Sequence, residues 1–370
     1  MKILFLSTEA FSSPGGIQKF NKAFMKALQD LSESLSIEFK AFSLRDENND
    51  NKYINSQFFK GFKYHKTRFI IESIIEGLRS DIIILGHLNL AVIGLIVKIL
   101  NNKAKIILIS HGVEVWSRLY GIKKRVLNKA SMILAVSNFT KKKLINENRV
   151  RSDKIYVFPN TIDPFFVPAE IYIKPHHLMQ KYKINQNDKI LLTVCRIDST
   201  EKYKGYDKII EILPSIIHII PNVKYLLVGK GDETEIKRIE ALVERTKIKN
   251  NVIMTGYVAE EDLINYYLLS DLFIMPSKGE GFGIVFLEAL SCGTTVIAGN
   301  KDGSVDALSG GKLGILIDPD NIAKITQTVL DVLNKNVDKK LIDRQYLSQK
   351  VIDTYGFDRF KERLKTILTM

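Results

Sequence analysis

Short, continuously apolar segments that each run through a glycine or a polar turn into a helix-like stretch recur along the chain, and this recurrence constrains the fold most. KILFLS at Lys2–Ser7 leads through Ser13-Pro14-Gly15-Gly16 into a helical pattern from about Ile17 to Leu31. Ile37–Leu44, Asp81–Leu85, Lys105–Ser110, Ile133–Val136 and Ile155–Phe158 repeat the strand signal. A strand covered on both faces reads as an unbroken apolar run, and its alternation with helices implies a doubly wound parallel sheet. The pattern restarts at Lys189–Cys195 and continues at Val223–Val228, Val252–Met254, DLFIM (271–275) and Thr294–Ala298. Pro159, Pro164, Pro168 and Pro175 punctuate the stretch between, which places a hinge near residues 164–186. The expectation is α/β, with two Rossmann-like domains, 1–168 and 169–353, and an amphipathic tail over Asp353–Met370 carrying Phe357, Phe360, Leu364 and Ile367.

The stretch MPSKGEGFGIVFLEALSCGT, Met275–Thr294, combines a buried strand, a glycine loop and a helix, with Glu280 in the loop and Glu288 inside the helix. A loop opening onto a helix N-terminus offers backbone N–H groups to anions or hydroxyls. Two carboxylates there can grip a polyol; equally, two isolated glutamates can be a helix-dipole partner and a solvated residue. The Glu280-x7-Glu288 run within SKGEGFGIVFLEALSCGTTVIA resembles the signature of the retaining glycosyltransferases of family 4. That resemblance implies the GT-B fold: two Rossmann-like domains facing across a cleft, with a C-terminal helix, about 354–370, crossing back to the first. It also implies that Glu280 contacts a donor sugar, with the loop residues Gly281, Phe282, Gly283, Ile284 and Val285 beside it, and that Glu288 holds a ribose.

Other segments carry the same resemblance. Gly15 and Gly16 correspond to a turn whose amides approach the donor phosphates, although Gly-Gly alone reads as well as a plain turn. HGVEVW (111–116) resembles the segment whose histidine, here His111, approaches the sugar; alone, it reads as a surface or capping residue. Arg196 closes a strand and Lys204 precedes Gly205, as in the family, where both hold the diphosphate; spacing alone equally allows two surface cations. The backbone at Tyr257 and Val258 corresponds to the nucleobase contact. PNTIDP (159–164) resembles the run that ends the family's first domain. The loop GNKDGSVD (299–306) departs from the family, which has Pro-Glu where Val305-Asp306 stands, so Asp306 is open between a ligand contact and a helix cap.

The charge of +13 is uneven: residues 1–168 hold 26 Lys/Arg and 14 Asp/Glu, and residues 169–370 hold 28 and 27. A basic first half suggests an anionic partner, with a lipid surface ahead of nucleic acid. Lys123, Lys124 and Arg125 beside Leu119, Tyr120 and Val126 form one such run. Lys141, Lys142 and Lys143 beside Phe139 and Leu144 form a second, and Lys19, Lys22 and Lys26 beside Phe20 and Phe24 a third. Each also reads as a solvated face. Leu88–Leu100, the longest apolar stretch, is too short to span a bilayer and reads as a core helix. RDENNDNK (45–52) reads as a mobile loop. Cys195 and Cys292 lie in apolar runs and read as buried thiols of a reducing compartment. No secretory leader is legible in MKILFLSTEA, so the expected place is cytoplasmic, either soluble or peripheral on the inner face of the membrane.

The function implied is hexosyl transfer with retention. A nucleotide diphosphate sugar, a UDP-hexose or GDP-mannose, is the donor substrate, and a hydroxyl of a glycan or lipid-linked saccharide is the acceptor. No cofactor is expected, and no metal, because no Asp-x-Asp metal pair marks the loops of the implied cleft and two cations stand where a divalent ion would act. A Gly-x-Gly-x-x-Gly fingerprint for NAD is also missing. The alternatives are an epimerase or hydrolase of the same architecture, or an inactive nucleotide- or nucleic-acid-binding protein. Zinc and RNA motifs are lacking for the last.

Overall fold

A computed structural model describes residues 1–167 and 171–370 as two units: 1–164 with 355–370, and 165–354. Pro168 and the expected boundary at 168/169 lie outside the described residues.

The first unit contains β1 (Lys2–Ser7), α1 (Gly16–Ser34), β2 (Glu38–Ser43), β3 (Phe59–Gly61), α2 (Lys66–Leu78), β4 (Ile82–Leu85), α3 (Ala91–Leu100), β5 (Lys105–Ser110), α4 (Val113–Trp116), α5 (Gly121–Lys129), β6 (Met132–Ala135), α6 (Asn138–Asn146) and β7 (Ile155–Val157). The strands form one parallel sheet of order β3-β2-β1-β4-β5-β6-β7. The order reverses direction beside β1, the switch point where open α/β sheets bind ligands. Ile3–Leu6, Ile82–Leu85 and Ile106–Ile109 are buried, as expected of strands covered on both faces. Ser137 caps α6 by accepting from Thr140 N at 3.1 Å.

The second unit contains α7 (His176–Lys181), β8 (Lys189–Val194), α8 (Tyr206–Ile219), β9 (Val223–Val228), α9 (Glu233–Arg245), β10 (Val252–Gly256), α10 (Leu263–Leu269), β11 (Leu272–Met275), α11 (Ile284–Ser291), β12 (Thr295–Gly299), α12 (Ser304–Ala307), β13 (Ile315–Ile317), α13 (Ile322–Leu333) and most of α14 (Arg344–Tyr355). Its parallel sheet has the order β10-β9-β8-β11-β12-β13. The hinge stretch thus contains a helix, α7. Cys195 and Cys292 are buried free thiols.

The tail is two helices rather than one. The chain breaks at Gly356, and α15 (Phe357–Leu368) belongs to the first unit. Phe360, Leu364 and Ile367 are buried, and the Phe360 ring lies 4.6, 5.6 and 6.3 Å from those of Phe158, Phe20 and Phe24. Among the described residues no helix is long and apolar enough to cross a membrane.

Candidate functional site

In the second unit the decisive geometry lies where β8 and β11 end. Past β8, residues Lys202–Lys204 make a 3-10 turn that closes on Gly205, whose φ is 77°. A Cβ at Gly205 would lie 2.7 Å from the Pro276 carbonyl, so glycine satisfies both the left-handed turn and the close approach of the next loop. Lys278 N donates to the Tyr203 carbonyl at 2.9 Å, which joins that loop to the turn.

This brings Lys204 Nζ to 2.7 Å from Glu280 Oε1 and 3.5 Å from Glu201 Oε2. Arg196, 57% exposed, reaches Glu201 Oε1 at 3.2 Å. Two cations and two carboxylates form one chain. Burial disfavours the Lys204 ammonium, but Glu280 and then Glu201 outweigh it and hold its pKa above the ordinary lysine value. Burial pushes the Cys195 thiol up to about 12, so it stays neutral beside them. Glu201 was missed in the sequence; its signal was the i,i+3 spacing to Lys204.

The main chain of Glu280 is gripped from both sides. Its N–H donates to Asp302 Oδ2 at 2.8 Å, and its carbonyl accepts from Gly303 N at 2.8 Å. Asp302 Oδ1 accepts from Ser304 N at 2.9 Å, and burial raises its pKa to about 6. Asp302, also missed, thus accepts from the first N–H of α12, while Asp306, left open between a ligand contact and a cap, lies inside that helix. Gly283 precedes α11 with φ 94°, Phe282 is buried, and Val285 is half-buried. Glu288 is 1% exposed and its Oε2 accepts from the Tyr267 hydroxyl at 2.7 Å, which excludes a solvated glutamate. Tyr257 is exposed just past β10, where Gly256 O accepts from Gly229 N at 3.0 Å; Val258 is half-buried.

In the first unit, His111 follows β5. Its Nε2 lies 2.8 Å from the Gly86 carbonyl, so that nitrogen carries the proton and Nδ1 the lone pair. Burial lowers its pKa more than Glu114 and the Gly86 carbonyl raise it. Its backbone N–H donates to Glu114 Oε1 at 2.5 Å. Phe20 of α1 packs edge-on to the imidazole at 5.0 Å, so α1, which begins at Gly16, and His111 share one end of the sheet.

Asp46 corrects the mobile-loop reading of residues 45–52. Fully buried, it accepts from Ala10 N (2.7 Å), Phe11 N (3.0 Å), Ser12 N (2.8 Å) and Ser43 Oγ (2.6 Å), so it shapes the loop that leads to Gly15 and Gly16. A polar run gave no sign of it.

The basic runs are also revised. Phe20, Phe24 and Leu144 are core residues, so α1 and α6 do not pair cations with exposed apolar groups. Lys141 donates to the Ile155 carbonyl at 2.9 Å, Lys143 lies 3.6 Å from Glu147, and Lys124 donates to the Asn148 carbonyl; Lys123, Arg125 and Lys142 are exposed.

Comparison with known proteins agrees with this architecture. Residues 176–351 match the model for glycosyl transferases group 1, and residues 38–165 match that for Glycosyltransferase Family 4. A GDP-mannose-dependent alpha-(1-6)-phosphatidylinositol monomannoside mannosyltransferase of Mycobacterium tuberculosis is 26% identical over 245 residues, 63% of this chain and 62% of that protein. The capsular polysaccharide biosynthesis glycosyltransferase CapM of Staphylococcus aureus is 26% identical over 58% of this chain and 56% of its own. The chain thus spans less than two thirds of the length of these curated relatives. The crystal structure of Anabaena HepE with UDP and glucose aligns over 100% of this chain and 99% of its own, with TM-score 0.75 and 19% identity. That of a Rickettsia africae glycosyltransferase aligns over 99% and 97%, with TM-score 0.78 and 21% identity. These structures share the fold.

Proposed function

We propose that this chain, a glycosyltransferase of the family 4 type through its two domains, moves a hexose from a nucleotide diphosphate sugar to a hydroxyl of a glycan or lipid-linked acceptor, in cell-surface polysaccharide or glycolipid synthesis. Transfer retains the anomeric configuration, needs no metal and takes place on the cytoplasmic side. The observation that carries the reading is the Arg196–Glu201–Lys204–Glu280 chain at the ends of β8 and β11.

An ammonium has three N–H donors; two of those on Lys204 face Glu280 and Glu201, and the third serves a phosphate oxygen. Arg196 adds a planar fork for the same diphosphate. As the bond from the sugar C1 to the diphosphate oxygen breaks, both cations stabilise the charge left on the leaving group. The acceptor oxygen bonds to C1 on the same face, and its proton passes to the departing phosphate, so no side chain acts as base. The two cations perform the neutralisation a divalent ion would otherwise supply.

Glu280 and the Gly281–Gly283 backbone orient the sugar, and Asp302 holds Glu280 in place. His111 orients the sugar as a neutral ring accepting at Nδ1. Glu288 binds the ribose from its buried seat, with Tyr267 fixing one oxygen. The amides after Gly15 and Gly16 approach the phosphates, and the Tyr257–Val258 backbone meets the base. The donor is a UDP-hexose or GDP-mannose. The mannosyltransferase relative depends on GDP-mannose and the HepE structure holds UDP and glucose, so both bases belong in the first screen.

The test is a screen of nucleotide sugars for transfer or hydrolysis by mass spectrometry, with product anomers read by NMR and activity compared in chelator. Lys204→Ala and Glu280→Ala should each lower kcat about 10²–10³-fold while remaining folded. Full activity in Lys204→Ala, or an inverted product, overturns the mechanism.

A further inference from the structure

The apolar stretch at 88–100, expected in the core, is covered on one side only. On α3, Val92, Ile96 and Ile99 follow the i, i+4, i+7 spacing of a single helical line. Val92 is 44% and Ile99 71% exposed, and Leu100 beside them 63%. On α2, Ile71, Ile75 and Leu78 repeat that spacing at 53%, 47% and 39%. The two helices pack together, and Asn101 Nδ2 donates to the Leu78 carbonyl at 3.4 Å, so the lines meet at the ends of their helices. The other flank of α3 packs on α5, at whose start Tyr120 and Ile122 stand exposed. Scattered single apolar groups on a surface need no explanation; three neighbouring elements that each expose them do.

The charge around these helices has one sign. Residues 91–129 contain eight Lys/Arg and one acid, Glu114, which is taken up by the His111 backbone N–H. The acids of α2 are already matched: Glu72 with Lys60 and Arg68, Glu76 with Lys40. Lys103, Arg118, Lys123, Arg125 and Lys129 are exposed.

We propose that α2, α3 and α5 form a face that docks on a bilayer carrying anionic headgroups. The isoleucines, with Leu100 and Tyr120, enter the boundary between headgroups and acyl chains, and the surrounding cations pair with lipid phosphates. Charge decides the occupant. A second copy meeting this face about a two-fold axis would oppose positive to positive. A nucleic acid would use the cations and leave the apolar lines unused. The inference deepens the lipid-linked part of the acceptor reading above, but docking is measured without donor or turnover, so the two fail separately.

The experiment is co-sedimentation of the full chain with phosphatidylcholine vesicles, with and without phosphatidylglycerol, at low and high salt. The chain should pellet with the anionic vesicles, less so at high salt, and stay in the supernatant with phosphatidylcholine alone. The pair Ile75→Asp and Ile99→Asp should weaken partitioning roughly tenfold or more. Lys123→Glu with Arg125→Glu should also weaken it and flatten the salt dependence. Circular dichroism checks the fold; should the aspartates unfold the chain, Tyr120→Ala with Ile122→Ala replaces them and should give a smaller drop. Equal recovery from both vesicle types, or undiminished binding by the variants, overturns the proposal. A concentration-dependent dimer in sedimentation velocity that Ile99→Asp abolishes would give the face to a second copy instead.

Discussion

His111 shows how one side chain is tuned by its seat. With Nε2 committed to the Gly86 carbonyl and burial acting against charge, its native pKa lies below the ordinary 6.5. A base whose pKa is depressed by folding stabilises the native state while it is neutral. That contribution is full above pH 6.5 and is lost as the pH falls below it. The expected outcome is a urea midpoint that drops between pH 8 and pH 5 in the parent chain and drops less in His111→Gln. An identical fall in both chains would show that the imidazole is not the titrating group. Asp302 is the opposite case: its pKa is raised to about 6, so the native state favours its protonated form, and its stabilising effect declines as the pH rises from about 4 to 6.

At the scale of elements, much was legible in advance. The helical pattern from about Ile17 to Leu31 is plain because glycines precede apolar residues of period 3.6, and α1 (Gly16–Ser34) contains it. The parallel strands were equally plain, because burial on both faces leaves no polar interruption. Arg196, Lys204 and Glu280 stand out by motif; Glu201 does not, because an i,i+3 spacing to a lysine marks any surface ion pair, and Asp302 does not, because its partner Glu280 comes from another loop. Asp46 was hidden for the same reason: in a run of eight polar residues nothing local tells which one turns inward. The exposed line on α3 was misjudged because hydropathy reports what a helix is made of and not whether anything covers it. The loop over residues 10–12 makes the point testable. Asp46→Ala leaves three backbone N–H groups without their acceptor and should cost more than about 2 kcal/mol in urea unfolding. Asp46→Asn, which keeps one oxygen, should cost less. A neutral alanine variant would mean that water replaces the carboxylate.

Over the whole chain, the first unit is assembled from two distant stretches, 1–164 and 355–370. The seam is aromatic: Phe360 lies among Phe20, Phe24 and Phe158, and Thr161 Oγ1 donates to the Tyr355 carbonyl at 2.8 Å. Phe360→Ala should therefore remove about 3–5 kcal/mol from the first unit. Hydrogen exchange would locate the loss in β1, α1 and β7, with the second unit's amides unchanged. Uniform loosening of both sheets would refute that assignment.

This discontinuity also sets a timetable on the ribosome. When Pro164 has left the exit tunnel, α1 still shows bare phenyl rings where α15 will lie, and 190 residues of the other unit must be translated before the missing helix appears. At roughly 5–20 residues per second that wait is on the order of ten to forty seconds. A nascent chain of this protein thus carries an unfinished, sticky lobe for about half of its synthesis, the kind of exposed apolar surface that holdase chaperones bind.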